Sequence, residues 1–194
     1  MPQPERALDR QAFFEVMASF PSGVAVVTTA DADGTPFGLT TTAVASVSAD
    51  PPTLLVCVDL GSRTLPVLRG ARRFIVNFMR AGRSELSLLF ASKADDKFSH
   101  VAWRRTESGL PLLEHDALAW AEATTQQELV IGDHVLLIAS VDDGAALGHG
   151  LAPLMYYRRS WGVWTPAHET DERPQEMQPI EVGARDLRWR GAEL

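Results

Sequence analysis

At 194 residues the chain has the length of a single domain, and 45 % hydrophobic against 22 % charged residues excludes a wholly disordered polymer. A net charge of −7, from 25 acidic against 18 basic side chains, argues against a nucleic-acid partner, whose phosphates call for a clustered positive excess. The opening residues hold no apolar stretch of signal-peptide length, and nowhere do ~18 apolar residues run together, so no membrane partner is expected and the cytoplasm is the expected location.

Residues 9–20 read as a helix. Phe13, Val16, Met17 and Phe20 fall at i, i+3, i+4 and i+7 on one apolar face, Asp9 caps the start and Pro21 ends it. The period then becomes strand-like: residues 23–29 are rich in β-branched side chains, and Asp33-Gly34 is a hairpin signal. A second strand-like stretch, 36–48, stops at Asp50-Pro51-Pro52 because proline cannot donate to a ladder. Further strands are expected at 53–58, 73–79, 118–127, 134–141 and 154–163, although Ala, Glu and Gln leave 118–129 open to a helix on propensity. Short helices are expected at 64–69, stopped by Gly70, and at 83–91, capped by Ser84. The single cysteine, Cys57, excludes an internal disulfide and reads as a buried thiol in a reducing compartment. Many short strands with a few small helices point to an all-β barrel or sandwich with peripheral helices. Composition shifts at 165–194, where three prolines, seven acidic and four basic residues mark a charged tail after a domain at 1–164. That tail is either disordered or docked through Ile180, Val182, Leu187 and Trp189.

Phosphate-binding loops, paired cysteine motifs, His-Glu-x-x-His and the nucleophile elbow are all missing from the sequence. His100, His115, His134, His149 and His168 show no metal-ligand spacing, so no metal site is expected. What carries chemistry is the run 38–52, from Gly38 through Thr40-Thr41-Thr42-Ala43 and Ser46-Val47-Ser48 to the double proline. Small and hydroxyl-bearing side chains let a flat ligand approach backbone N–H and C=O groups closely. The same composition also suits an edge strand that merely faces water.

In its setting, this run resembles the signature of the flavin reductase-like family, FMN-binding split β-barrels of Greek-key type. The resemblance is carried by Phe20-Pro21-Ser22-Gly23-Val24, Asp50-Pro51-Pro52-Thr53-Leu54, Phe74-Ile75-Val76-Asn77-Phe78, Leu86-Ser87-Leu88-Leu89-Phe90, Asp96-Lys97-Phe98, Gly132-Asp133-His134 and Pro153-Leu154-Met155-Tyr156-Tyr157-Arg158. Order and spacing hold over 13–164. Within the family the likeness is to reductase components of two-component flavin-dependent monooxygenases, most of all those serving 4-hydroxyphenylacetate hydroxylation.

Position by position, the resemblance implies a cofactor site. Thr40, Thr41, Thr42 and Ala43 would line the flavin ring, Ser46, Val47 and Ser48 would continue along it, and Ser62, Arg63 and Thr64 would hold the ribityl phosphate, where a guanidinium makes strong charge-assisted bonds. Asn77 would end a strand near the flavin, and Lys97 and Phe98 would add charge and an apolar wall. His134 would be the catalytic histidine beside the nicotinamide, with Tyr157 and Arg158 either closing the pocket or covering the barrel's end. Arg83 stands where relatives commonly have glutamine, so it either reaches a flavin phosphate or faces solvent, and the choice between FMN and FAD stays open.

The implied reaction is hydride transfer from NADH or NADPH to FMN or FAD, with reduced flavin passed to a separate monooxygenase component. The cofactors carry that chemistry, which accounts for the missing triad. Without a Gly-x-Gly-x-x-Gly fingerprint the nicotinamide would bind on the barrel. The alternative from another class is a flavin- or haem-binding split-barrel carrier or sensor without reductase activity; a purely structural barrel is a further one. An oligonucleotide-binding barrel conflicts with the acidic balance and the lack of a basic aromatic strand face. A homodimer is the expected assembly, since a partly open barrel has edges to protect.

Overall fold

Asp9 starts the first helix as its side chain dictates. Its Oδ1 accepts from the Ala12 N–H at 2.9 Å, and α1 runs Arg10–Ala18. The computed structural model describes residues 8–148 and 150–164; the expected tail at 165–194 lies outside the described residues, as do His149 and His168. The apolar face of α1 forms, but among the described residues nothing covers it: Phe13, Val16 and Met17, with Phe20 just past the helix, are 50 %, 60 %, 49 % and 66 % exposed.

After α1 come β1 (Ser22–Gly23), β2 (Ala25–Ala30), β3 (Pro36–Thr41), β4 (Val44–Ala49) and β5 (Pro52–Asp59), then α2 (Leu65–Ala71), β6 (Arg73–Met79) and α3 (Ser84–Ala91). A 3-10 turn (Phe98–His100) leads to β7 (Arg104–Arg105), β8 (Pro111–Leu112), the long pair β9 (Ala117–Ile131) and β10 (His134–Ala146), and the closing hairpin of β11 (Leu154–Tyr157) and β12 (Ser160–Val163). Seven strands form one antiparallel sheet in the order β3-β2-β6-β9-β10-β5-β4. Each contributes to a single interior cluster, from Leu39 through Val27, Val76, Ala123, Leu137 and Val56 to Val44, and α2 adds Leu65 and Leu68. A sheet whose strands all face one cluster has curled around it. Its two edges come together where β3 passes into β4: the Cys57 N–H donates to the Ala43 carbonyl at 2.9 Å, and the Thr64 hydroxyl to the Gly38 carbonyl at 3.1 Å. The all-β barrel with peripheral helices expected from the sequence is thus present.

β2 is buried along its whole length because both faces are covered. Ala25 and Val27 point into the barrel, whereas Val24 and Val26 meet a second cluster of Met79, Phe90, Phe98, Leu113 and Leu154 outside it. That outer cluster seats α3 against the barrel wall. Gly38 makes the seating possible, since a Cβ there would lie 2.7 Å from the Phe90 ring and 3.2 Å from the Val27 carbonyl. Gly38→Ala must displace α3 and is expected to lower stability by about 1–3 kcal/mol. Denaturant unfolding checks this, and an unchanged midpoint would contradict the close packing.

Several boundaries differ from the sequence reading, each for a local reason. The stretch 36–48 is not one strand but two, β3 and β4, broken at Thr42-Ala43 where the chain crosses from one sheet edge to the other. Residues 154–163 form a hairpin turned at Arg158 and Arg159, both at positive φ. α2 runs through Gly70 and ends at Arg72, which takes the left-handed conformation itself (φ 57°). Ser84 is the first residue of α3 and not its cap, a place held by Arg83 with no side-chain cap bond. The stretch 118–129 is strand, paired with β6 on one side and β10 on the other.

Candidate functional site

An open cleft of about 270 Å³ lies where the end of β3, the outer face of β5 and the start of β10 meet the loop after β5 and the segment after α3. β3 is an edge strand among the described residues, so its outer backbone groups have no ladder partner. Its hydroxyls are engaged locally: Thr40 Oγ1 donates to the Ser87 carbonyl at 2.6 Å, and Thr41 Oγ1 accepts from the Ala43 N–H at 3.0 Å.

The loop after β5 is held by its own polar atoms. Asp59 Oδ1 accepts from the Gly61 N–H at 2.6 Å, Ser62 N–H bonds the Asp59 carbonyl at 3.0 Å, and Ser62 Oγ accepts from the Thr64 N–H at 3.3 Å. Arg63 stands on this loop, ion-paired with Asp95 of the segment after α3. Lys97 donates to the carbonyls of Phe90 (2.7 Å) and Gly38 (3.2 Å), tying the end of α3 to β3. Burial, and secondarily the Arg63 charge, hold its ammonium below the ordinary lysine range.

His134 opens β10 at the other end of the cleft. Its Nδ1 lies 2.7 Å from Asp133 Oδ1. A nitrogen facing an ionised carboxylate carries the proton, which leaves Nε2 available to a second partner. The hydrogen bond from His134 and then its charge hold the Asp133 carboxyl below the usual carboxylate range.

Seven of the residues implied by the sequence therefore line one cleft: Thr40, Thr41, Ser62, Arg63, Thr64, Lys97 and His134. The others fall elsewhere. Thr42, Ala43 and Ser46 are exposed on the β3–β4 connection and on β4, and Val47 is the extra residue of a register shift between Ser46 and Ser48. Asn77 is inside β6 rather than at its end, fully buried, with its amide spent on the Val26 carbonyl (2.9 Å), Thr28 Oγ1 (3.1 Å) and the Leu113 N–H (2.9 Å). Arg83 lies 2.7 Å from Asp116 Oδ1 and borders a separate depression with His100 and His115. Phe98 packs edge-on between Phe90 and Trp103 in the outer cluster, and Tyr157 sits 43 % exposed on β11.

The sequence reading missed Cys57, Leu39, Val58, Phe90 and Lys93 as cleft residues. Cys57 is half-buried rather than buried, because Leu54, Val56 and Val58 take the inward positions of β5 and leave residue 57 on the outer face. Burial still pushes its thiol up, so it is neutral at pH 7. Strand alternation could have found Cys57; nothing in one sequence marks Lys93 off from other surface lysines.

The cleft carries an excess of positive charge. Arg63, Lys93 and Lys97 line it against a single carboxylate, Asp59, in a chain that is acidic as a whole, and Leu39, Val58, Phe90 and the neutral Cys57 are among its other residues. This donor set fits a flat, largely apolar ring carrying a phosphate, and the family comparisons agree. Residues 17–165 match the family described as the flavin reductase like domain. The chain is 40 % identical to the flavin reductase (NADH) of Kitasatospora aureofaciens over 81 % of its length and 83 % of the relative's. It is 41 % identical to the flavin reductase (NADPH) of Lentzea aerocolonigenes over 78 % of this chain and 88 % of the other. Among solved structures, an NADH:FAD oxidoreductase of Streptomyces globisporus in complex with NAD and FAD fragments superposes with a TM-score of 0.76 at 28 % identity, covering 81 % of this chain and 94 % of that one. The barrel, its cationic cleft and these relatives place the chain in the flavin reductase like domain family.

Proposed function

We propose that the protein is an NAD(P)H:flavin oxidoreductase that binds FMN or FAD in the cleft beside β3 and delivers reduced flavin to a separate monooxygenase component. The observation that carries this reading is that Arg63, Lys93, Lys97 and His134 line one cleft in which Asp59 is the single carboxylate. Similar chains named as reductase components of a trigonelline monooxygenase and of a 4-nitrophenol monooxygenase support the hand-over to an oxygenase. A flavin, when bound, supplies the ring nitrogen that takes the hydride from the nicotinamide.

The chain's own residues bind and orient. The three cations neutralise the phosphate, and the backbone edge of β3 beyond Gly38, whose carbonyl is held by Thr64 and Lys97, meets the polar rim of the ring, where fixed N–H dipoles favour negative charge. Cys57, half-buried on the outer face of β5, would offer the ring a neutral wall. His134, oriented by Asp133, presents Nε2 toward the nicotinamide amide and acts there as a positioning group, since hydride transfer asks for no proton relay. The cytoplasm, where NAD(P)H is made and a lone thiol stays reduced, is the compartment that suits the reaction.

The lowered Lys97 ammonium gives a test by pH. A lysine below its ordinary range loses its charge early, so kcat/KM for flavin falls as pH rises through that lowered value, at a less alkaline pH than a free lysine would show. In Arg63→Gln one of the two causes is gone, and the fall is expected at higher pH. A fall that does not move would remove Lys97 from phosphate binding. The reaction itself is tested by nicotinamide oxidation in air: loss that requires both protein and added flavin supports the reductase, and flavin binding without nicotinamide loss supports a carrier.

The assembly we propose is a homodimer. Leu129, Val130 and Ile131 at the tip of the β9–β10 hairpin are more than half exposed, and the apolar face of α1 is about half exposed. A second copy of the same chain would bury such patches isologously. Light scattering should give twice the chain mass for the native protein and the single-chain mass for Val130→Glu with Ile131→Glu. A monomeric native protein would contradict the dimer.

A further inference from the structure

The three cations of the cleft are engaged differently. Lys97 donates to two carbonyls, and Lys93 meets no carboxylate among the described residues. Arg63 does meet one. Its Nη1 is ion-paired with Asp95 Oδ1, the one side-chain bond its guanidinium makes among the described residues. The acid that lines the cleft itself, Asp59, turns its Oδ1 instead to the Gly61 N–H at 2.6 Å. Asp95 thus takes part of the guanidinium fork that an anionic ligand would use.

The segment that carries Asp95 is pinned on both sides of it. Ser92 Oγ donates to the Leu89 carbonyl at 2.7 Å and accepts from the Ala94 N–H at 3.1 Å, and Lys97 grips the Phe90 and Gly38 carbonyls. A side chain on a pinned segment gives up less freedom when it pairs. Asp95 is nevertheless 91 % exposed, and an exposed ion pair stabilises only weakly. A ligand can therefore displace it, and it reforms once the ligand leaves.

We propose that Asp95 competes with the flavin phosphate for Arg63, and by doing so keeps flavin affinity moderate. This rests on the flavin reading above and deepens it. A flavin that must pass to a second protein has to be let go, and the regained Arg63–Asp95 pair offsets part of the phosphate bond lost on release. When only a fraction of the molecules has Arg63 free, the apparent Kd rises by the reciprocal of that fraction. For an exposed pair the rise is about threefold.

Kd values for FMN, and for riboflavin, which has the same ring and no phosphate, are measured by flavin fluorescence. Native protein is compared with Asp95→Asn, Arg63→Gln and the double variant; both side chains are exposed, so neither change threatens folding. Asp95→Asn is expected to bind FMN about threefold tighter than native protein and riboflavin no differently. In the Arg63→Gln background the same change is expected to have no effect, because the contested guanidinium is gone. A carboxylate with a merely structural role would weaken binding when removed, so the sign alone is informative. The proposal is overturned if Asp95→Asn leaves the FMN Kd unchanged or raises it, or if riboflavin tightens as much as FMN. It is overturned equally if the gain persists without Arg63, since the carboxylate would then act by its charge at a distance. Native protein that binds neither flavin would instead strike the flavin reading, and this proposal with it.

Discussion

Asn77→Leu is expected to cost about 3 kcal/mol of folding stability, the largest single effect anticipated outside the cleft. The side chain is fully buried and bonds two segments at once: Nδ2 donates to β2 at Val26 and Thr28, and Oδ1 accepts from Leu113 just beyond β8. Leucine fits the volume but strands the Leu113 N–H in a dry interior, and each such orphan costs roughly 1–3 kcal/mol, more when it belongs to a connected network. For a domain of this size that corresponds to a fall in Tm of about 6–12 °C. If Asn77 instead served the flavin, as the family resemblance alone implies, the variant would keep its Tm and lose flavin affinity. Calorimetry and a flavin titration on one sample separate the two roles.

Arg63→Ala is expected to raise the KM for flavin roughly tenfold to a hundredfold, the range of one charge-assisted bond to a phosphate. Saturating flavin should restore most of kcat, because the ring is oriented by β3 and not by the guanidinium. Stability should change by less than about 1 kcal/mol: the Arg63–Asp95 pair is exposed on both sides, and such pairs contribute little. An unchanged KM would remove the phosphate from this end of the cleft.

These two residues show what one sequence can and cannot display. Arg63 was reached through the family resemblance, since a cation on a loop after a strand reads equally as a capped turn, and the structure adds that it lines the cleft. The role of Asn77 was not legible: an asparagine next to the end of an apolar run looks the same whether it faces a cofactor or bridges two buried segments, and only the position of Leu113, 36 residues on, decides. The hairpin at Asp33-Gly34 and the limits of β6 were readable because turn chemistry and β-branched runs are local. The break at Thr42-Ala43 was hidden, because a hydroxyl-rich run looks uniform and the crossing between sheet edges is made by long-range pairing with β2 and β5. α1 was readable as a helix from its spacing, but spacing does not say whether this chain supplies the cover for an apolar face.

The central claim is that this cleft brings flavin and nicotinamide together for hydride transfer. Its most direct test is rapid mixing of protein, flavin and NADH or NADPH without oxygen. The expected result is loss of the flavin's visible absorbance in step with oxidation of the nicotinamide, slowed when the transferred hydrogen at C4 is deuterium. Flavin that binds with the expected affinity and stays oxidised in the presence of either nicotinamide would contradict the claim.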